Sequence, residues 1–312
     1  MTHPFKHPDD LPEQIPVFDD ESLEDLQRAG FRMIQKKKGF RFGTDSVLLA
    51  AYVAEHYKKT PGRSLTAGDF CAGSGSVSLL LAARLKKAVI TGFELDPEAC
   101  DVFYRNIRLN KLDHRMQIHQ ADLKTCFYTK KKTDRPEDCL SGFRHYFDLV
   151  MANPPYQKTA RNFGYSDRDF HDPSLPDQDD QIKSAWWEAQ LPLDNLVEAA
   201  ACVIKQKGLF FMVHRAHRLP EVFDALSKYR FTPVNLRLVQ PLRDRAPFVF
   251  LITARYLGKK GGFRAAPALV LYDSPGQLSH QAAVWYGHEA PMSEDLLWQN
   301  VKKAKNNHPL KQ

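Results

Sequence analysis

The sequence has few of the residues that staple small folds or hold metals. Its 312 residues include five cysteines, Cys71, Cys100, Cys126, Cys139 and Cys202. The count is odd, and no pair has C-x2-C spacing. That excludes a disulfide framework and a zinc ribbon, and it fits thiols serving as small core residues in a reducing cytoplasm. No metal is expected. No apolar run approaches the ~20 residues of a membrane span, which excludes a transmembrane helix. Residues 1–18 have no apolar run and carry Pro4, Pro8, Pro12 and Pro16, which excludes a secretory signal and suggests a flexible arm. No internal repeat is visible. The one glycine pair at a strand-to-helix junction, Gly73-Ser74-Gly75, is followed by Val77 and Ser78, so the full G-x-G-x-x-G dinucleotide fingerprint is missing.

The chain does have enough apolar residues, 43%, to bury a full core without a staple. Its formal net charge of +7 favours an anionic partner such as nucleic acid. Its most informative stretch is Phe147-Asp-Leu-Val-Met-Ala-Asn153-Pro154-Pro155-Tyr156. Residues 147–152 predict a buried strand. Two successive prolines cannot continue a central strand, because each lacks an N–H and fixes φ. The chain must turn out of the sheet at Asn153. An amide, an outward carbonyl and a ring are left at the carboxyl edge, where open α/β sheets bind ligands.

Strands are expected over 64–71, 88–94, 116–120, 147–152 and 209–213. Helices are expected after Gly43 (capped by Thr44 or Asp45), after Gly75, and over 97–109, 193–204 and 219–229. Segments 232–240 and 249–257 predict an antiparallel pair at the sheet's edge, and 268–272 a last short strand before a polar tail. This alternation implies an α/β fold: a mostly parallel, seven-stranded sheet with helices on both faces and an antiparallel edge strand. Upstream, 21–28 predicts a short helix. Segments 31–35 and 40–42 predict a hairpin across Lys36-Lys37-Lys38-Gly39. Long polar connections over 124–146 and 157–187 predict surface insertions. The expected division is an arm over 1–25, a main domain over 26–260, and a C-terminal extension over 261–312 that packs on the same domain.

Four consecutive strands end in a polar group at the same edge. Asp69-Phe-Cys71-Ala-Gly73-Ser-Gly75 lets backbone approach a ligand beside a helix N-terminus. Glu94 lies 19 residues beyond Gly75, where a carboxylate can accept ribose hydroxyls. Asp122 ends the third strand and Asn153 the fourth. This constellation resembles the class I S-adenosylmethionine (SAM)-dependent methyltransferases, with their Rossmann-like fold. The resemblance assigns Asp69, Cys71, Gly73 and Gly75 to the loop that holds the methionine moiety. It assigns Glu94, with Leu95, to the ribose, and Asp122 with Leu123 to the adenine.

Asn-Pro-Pro-Tyr resembles the signature of methyltransferases that modify planar amino groups. A delocalised amine is a poor nucleophile. Two acceptors on its N–H bonds, Asn153 and the Pro154 carbonyl made rigid by Pro155, hold the lone pair towards the methyl donor. Tyr156 can stack on an extruded base. The run Phe42-Gly43-Thr44-Asp45-Ser46-Val47-Leu48-Leu49-Ala50 and the stretches Gly92–Ala99, Lys207–Phe210 and Ala268–Tyr272 resemble the bacterial tRNA adenine-N6 methyltransferases acting at position 37 of valine tRNA. That resemblance spans roughly residues 30–290 and implies that Gly43 and Thr44 help bind the methionine carboxylate. It implies a cytoplasmic monomer whose partner is tRNA. Candidate phosphate contacts are Lys36–Lys38, Lys130–Lys132, Lys158, Arg161, Arg215, Arg218, Arg243 and Arg245. Phe163, Tyr165, Trp186 and Trp187 are candidate stacking rings. Asn-Pro-Pro-Tyr also occurs in RNA guanine-N2 and protein glutamine-N5 methyltransferases. A SAM-binding RNA-associated protein without turnover is the non-enzyme alternative.

Overall fold

Seven long strands form the sheet that carries the candidate site. The computed structural model describes residues 15–38, 43–58, 60, 62–125, 140–155 and 191–288. The strands and helices are β1 (Glu21–Asp25), β2 (Arg32–Lys36), α1 (Thr44–Tyr57), β3 (Leu65–Phe70), α2 (Ser76–Arg84), β4 (Ala88–Glu94), α3 (Pro97–Leu109), β5 (Met116–Gln120), β6 (Phe147–Ala152), α4 (Leu193–Val203), β7 (Ile204–Arg215), α5 (Leu219–Lys228), β8 (Phe231–Gln240) and β9 (Val249–Tyr256). The C-terminal part adds β10 (Arg264–Ala265), β11 (Leu269–Val270), β12 (Tyr272–Ser274), β13 (Gln277–Leu278) and α6 (His280–Tyr286).

The sheet order is β10-β8-β9-β7-β6-β3-β4-β5, with short β11 also on β8. Strands β7, β6, β3, β4 and β5 are mutually parallel. The reversed strand is β9, antiparallel to both β7 and β8. The expected antiparallel pair of 232–240 and 249–257 is therefore present, but its reversed member β9 is the inner strand and not the edge one. The chain crosses over to lay β8 outside and then fills the gap with β9, whose eight residues are nearly all buried, the environment of a central strand. One apolar cluster packs α1, α2 and α6 with the Phe103–Ile107 part of α3. The other packs α4 and α5 on the opposite face.

One ring sets the spacing at the head of the sheet. A Cβ added to Gly75 would lie 2.2 Å from the Phe103 ring, and one added to Gly92 would lie 2.4 Å from it. Phe103 is fully buried on α3 and fills the space both glycines leave. Helix α3 itself starts at an Asp96 cap, which accepts from the Glu98 N–H, with Pro97 in its first turn.

The N-terminal region differs from expectation. Residues 21–25 form a strand paired antiparallel with Arg32–Lys36, not a helix. The partner of β2 is therefore upstream, and 40–42 lie outside the described residues. The cause is tertiary. Arg105 on α3 makes a two-pronged pair with the buried Glu21 carboxylate, at 2.8 and 2.7 Å. On the same helix, the Asn106 amide donates to the Ile34 carbonyl and accepts from its N–H, while Asn110 does the same for Arg32. Two side-chain amides one turn apart thus pair with β2 as a neighbouring strand would. Ile15 and Val17 are buried as well, so 15–25 is packed chain and not a free arm.

The segment read as a polar tail after 272 contains the β12–β13 hairpin and α6. Ser279 caps α6 by accepting from the Ala282 N–H, and Gly287 closes it at φ +95°. Arg28 and Arg84 donate to the carbonyls at its C-terminal end, where cations complement the helix dipole.

Gly92→Ala should destabilise the fold by about 1–3 kcal/mol, because Phe103 is trapped between two backbones and cannot retreat. Adding Phe103→Leu should recover part of the loss. Urea unfolding of the two single variants and the double variant checks this. Strictly additive losses would contradict the wedge.

Candidate active site

The carboxyl ends of β3, β4, β5 and β6 bring together most of the residues singled out in the sequence. Adjacent strands also bond across their ends. The Ala72 N–H donates to the Phe93 carbonyl at 3.1 Å, and the Ala121 N–H to the Glu94 carbonyl at 2.7 Å. The ends of β3, β4 and β5 therefore form one continuous rim, and the end of β6 lies beside that of β3, with Ala152 paired to Phe70.

At the end of β3, Asp69 is completely buried. Its Oδ2 accepts from the Ser78 hydroxyl at 2.6 Å, while Oδ1 is buried with no partner among the described residues. Burial pushes this carboxyl up to about 7, the Ser78 bond opposes the shift, and the nearby Glu94 charge adds to it. Cys71 follows in the left-handed region, φ +57°, a conformation that costs about 1–3 kcal/mol for a residue with a side chain. Gly73 has φ +55°, and a Cβ there would meet nothing within 4 Å, so the backbone is open on that side. Gly75 differs in role: it caps α2 in the left-handed region and makes room for Phe103.

Glu94 is tied to the glycine loop. Its Oε2 accepts from the Gly73 N–H at 2.8 Å, and its Oε1 from the N–H groups of Leu95 and Asp96 at 2.8 and 3.0 Å. Burial raises its carboxyl, and these backbone bonds oppose the rise. A carboxylate has about four acceptor positions, and three are used here. Asp122 caps the short turn Leu123–Thr125 through an Oδ1 bond from the Lys124 N–H, and Leu123 is buried within it.

Asn153 directly follows β6, buried, with Pro154 buried and Pro155 half-buried behind it. Its Nδ2 donates to the Ser46 Oγ at 3.4 Å. The Ser46 Oγ lies 2.9 Å from the Ser76 Oγ. The Asn153 Oδ1 is buried with no partner among the described residues. Tyr156 lies outside the described residues.

Helix α1 supplies the remaining wall. Gly43, with extended backbone, is its N-cap and no side chain caps it, so Thr44 is the first helical residue and not the cap. The Tyr286 hydroxyl of α6 donates to the Thr44 Oγ1 at 2.9 Å. Ser46, Ser76, Ser78 and Tyr286 thus join the site although the sequence reading gave them no role. Ser46 had a weak signal, as a polar residue directly before an apolar helical run. Tyr286 had one too, in the Ser279 and Gly287 caps around an apolar stretch.

Of the candidate phosphate contacts, Lys36 bonds Asp20 at 2.8 Å and Lys37 donates to the Asp19 carbonyl at 2.8 Å, so both are engaged within the hairpin. Arg215 ends β7 and Arg218 follows it, and Arg243 and Arg245 lie in the β8–β9 connection. The register pairs Arg215 and Val239 with Val249, which puts both groups at the same sheet edge as Asn153. Arg218 is paired with Glu221, and Arg243 and Arg245 are exposed. Lys130–Lys132, Lys158, Arg161, Phe163, Tyr165, Trp186 and Trp187 lie outside the described residues. Among the described residues, no group of three His, Cys, Asp or Glu could hold a metal ion, and no helix is long and apolar enough to cross a membrane. Cys71, Cys100 and Cys202 are free thiols.

The fold matches a solved structure over its full length. A predicted O-methyltransferase from Agrobacterium tumefaciens superposes with a TM-score of 0.58 at 18% identity, covering 80% of this chain and 100% of that one. The chain has the class I methyltransferase fold. Residues 62–151 match the TRM5/TYW2 methyltransferase domain family. A tRNA1(Val) (adenine(37)-N6)-methyltransferase of Porphyromonas gingivalis is 27% identical over 219 residues, 70% of this chain and 75% of the relative. One of Yersinia pseudotuberculosis is 27% identical over 184 residues, 59% of this chain and 60% of the relative.

The residues fit SAM on two observations: a buried acceptor, Asp69 Oδ1, with no partner among the described residues, and an open backbone face at Gly73. An electron-rich rim suits a ligand that carries a sulfonium and an ammonium.

The raised Asp69 carboxyl has a consequence for stability. The folded state keeps the Asp69 proton up to about pH 7, whereas the unfolded chain releases it near 3.8. This group's contribution therefore falls as pH rises through that window and is flat above it. Asp69→Asn should gain stability relative to wild type on the order of 3 kcal/mol more at pH 8 than at pH 5. Urea unfolding of both proteins at the two pH values tests this, and a pH-independent difference would refute it.

Proposed function

We propose that this chain transfers a methyl group from SAM to the exocyclic N6 amine of an adenosine in RNA, at position 37 of a tRNA, as a cytoplasmic monomer. The observation that carries the proposal is the Asn153 Oδ1, a buried acceptor directly after β6 that has no partner among the described residues. An unsatisfied buried acceptor costs about 1–3 kcal/mol. A target amine that donates to it removes that cost.

Asp69, the loop through Cys71, Gly73 and Gly75, and Gly43 with Thr44 hold the methionine end. Glu94 with Leu95 holds the ribose, and Asp122 with Leu123 the adenine. When bound, SAM supplies an electrophilic methyl on sulfur. The Asn153 oxygen and the Pro154 carbonyl accept the two N6 hydrogens, which turns the nitrogen lone pair towards that methyl. Tyr156 stacks on the base. SAM would give up its methyl to the N6 nitrogen and leave with the S–C bonding pair, and one N6 proton would pass to solvent. No side chain need be a strong base, because the proton becomes acidic only as the bond forms.

The names of the curated relatives support adenine in tRNA over guanine-N2 or glutamine transfer. With labelled SAM and tRNA from a strain lacking this protein, label should appear in N6-methyladenosine. Asn153→Ala should lower kcat by about 100-fold or more with SAM affinity kept. Label in N2-methylguanosine, or an unchanged rate in Asn153→Ala, would overturn the reading.

The basic rim beside Asn153 supports a polyanionic substrate. Arg243→Ala with Arg245→Ala should weaken RNA binding and lower the slope of log affinity against log salt by about 1–2. Binding titrations between 50 and about 200 mM salt measure this. An unchanged slope would remove this rim from the interface.

A further inference from the structure

We propose that Ser46 is a positioning residue that sets which way the Asn153 amide points, through a hydroxyl relay to Ser76. The inference rests on the methyl-transfer reading of the site. An asparagine amide is nearly symmetric in shape, but its two ends have opposite polarity. With the oxygen at the site, it accepts from an amine. Turned over, it presents two donors to the same amine and opposes binding. Something must choose between these states.

Two buried hydroxyls make that choice. Ser46 is 1% exposed in the first turn of α1, and its Oγ takes the Nδ2 donor of Asn153 at 3.4 Å. Ser76, 6% exposed at the start of α2, lies 2.9 Å away on the other side of that hydroxyl. A hydroxyl has one proton and two lone pairs. If Ser46 gives its proton to Ser76, it can only accept from Asn153, and the amide nitrogen is held on that side. The oxygen is then the end left over, which agrees with an Oδ1 that has no partner among the described residues. The reversed amide needs the Ser46 proton for itself, so Ser76 must donate to Ser46. An acceptor that takes the Ser76 proton, such as a carboxylate docked along the glycine loop, closes that option. Asn153 orientation is thereby coupled to the helix that carries the loop.

Ser46→Ala removes one oxygen and leaves apolar packing in place. Two readouts test it. In protein labelled with nitrogen-15 asparagine, the Asn153 side-chain pair is identified by its loss in Asn153→Ala. In Ser46→Ala that pair should exchange its hydrogens with water at least roughly tenfold faster. With tRNA, kcat should fall roughly tenfold, with the KM for SAM unchanged and a cooperative unfolding transition kept, and Ser46→Ala should add nothing to the kcat loss of Asn153→Ala. An unchanged Asn153 pair would overturn the proposal. So would an unchanged kcat in an active enzyme, or full additivity with Asn153→Ala. If the wild-type protein methylates no RNA, the functional reading fails, and the exchange comparison still decides the Ser46 contact.

Discussion

The head of this sheet depends on one aromatic ring in a space two side chains have vacated. Phe103 fills the positions where Gly75 and Gly92 would carry a Cβ. Each neighbour then falls into place for a stated reason. Gly75 can take the left-handed turn that starts α2, and that turn leaves Gly73 open above it. Gly92 lets α3 lie close on β4, and the pairing of β4 with β3 puts Glu94 within 2.8 Å of the Gly73 N–H. One turn further along α3, Asn106 donates to the Ser74 carbonyl at 2.9 Å and to the Ile34 carbonyl at 2.9 Å. The cofactor loop, the second strand's carboxylate and the N-terminal hairpin are therefore all referenced to the same helix.

The stability this packing provides is spent in part at the rim. Two buried acceptors there, at Asp69 and Asn153, lack partners among the described residues, one carboxyl is forced towards neutrality by burial, and Cys71 sits in a strained backbone region. Unsatisfied and strained groups of this kind persist only where surrounding structure over-determines them. Here the surroundings are fully buried strand ends on either side, Phe70 with Phe93 and Met151 with Ala152. The strain lies at the edge where a ligand can relieve it, and the described core beneath carries little of it.

The sequence made the central strands and the site rim legible because their signals are local. A strand that stops at two prolines, a glycine pair before an apolar helix, and carboxylates at strand ends each need only a few neighbouring residues to be read. What was not legible depends on partners far along the chain. Residues 21–25 have helix-forming composition, yet Glu21 answers to Arg105, 84 positions away. The place of β9 inside the sheet follows from the crossover before β8, which its own alternation cannot express. Ser46 reads as an ordinary early helix residue until β6 and α2 bring Asn153 and Ser76 to it. The role of Gly75 changed in the same way, from loop flexibility to room for a ring on another helix.

The charge along the rim is divided, and the division suits a reaction between a cation and a polyanion. On the β3–β5 side the polar ends are Asp69, Glu94 and Asp122. On the β7–β9 side they are Arg215, Arg218, Arg243 and Arg245, offset by Glu221 and Asp244. Strand β6 lies between the two, and Asn153, the residue that follows it, is the uncharged member. A positively charged methyl donor is favoured on the first side and a phosphate backbone on the second. Where they meet, a formal charge would favour one reactant over the other. An amide supplies an oriented acceptor without that bias, so a neutral residue at the junction follows from the charges on either side of it.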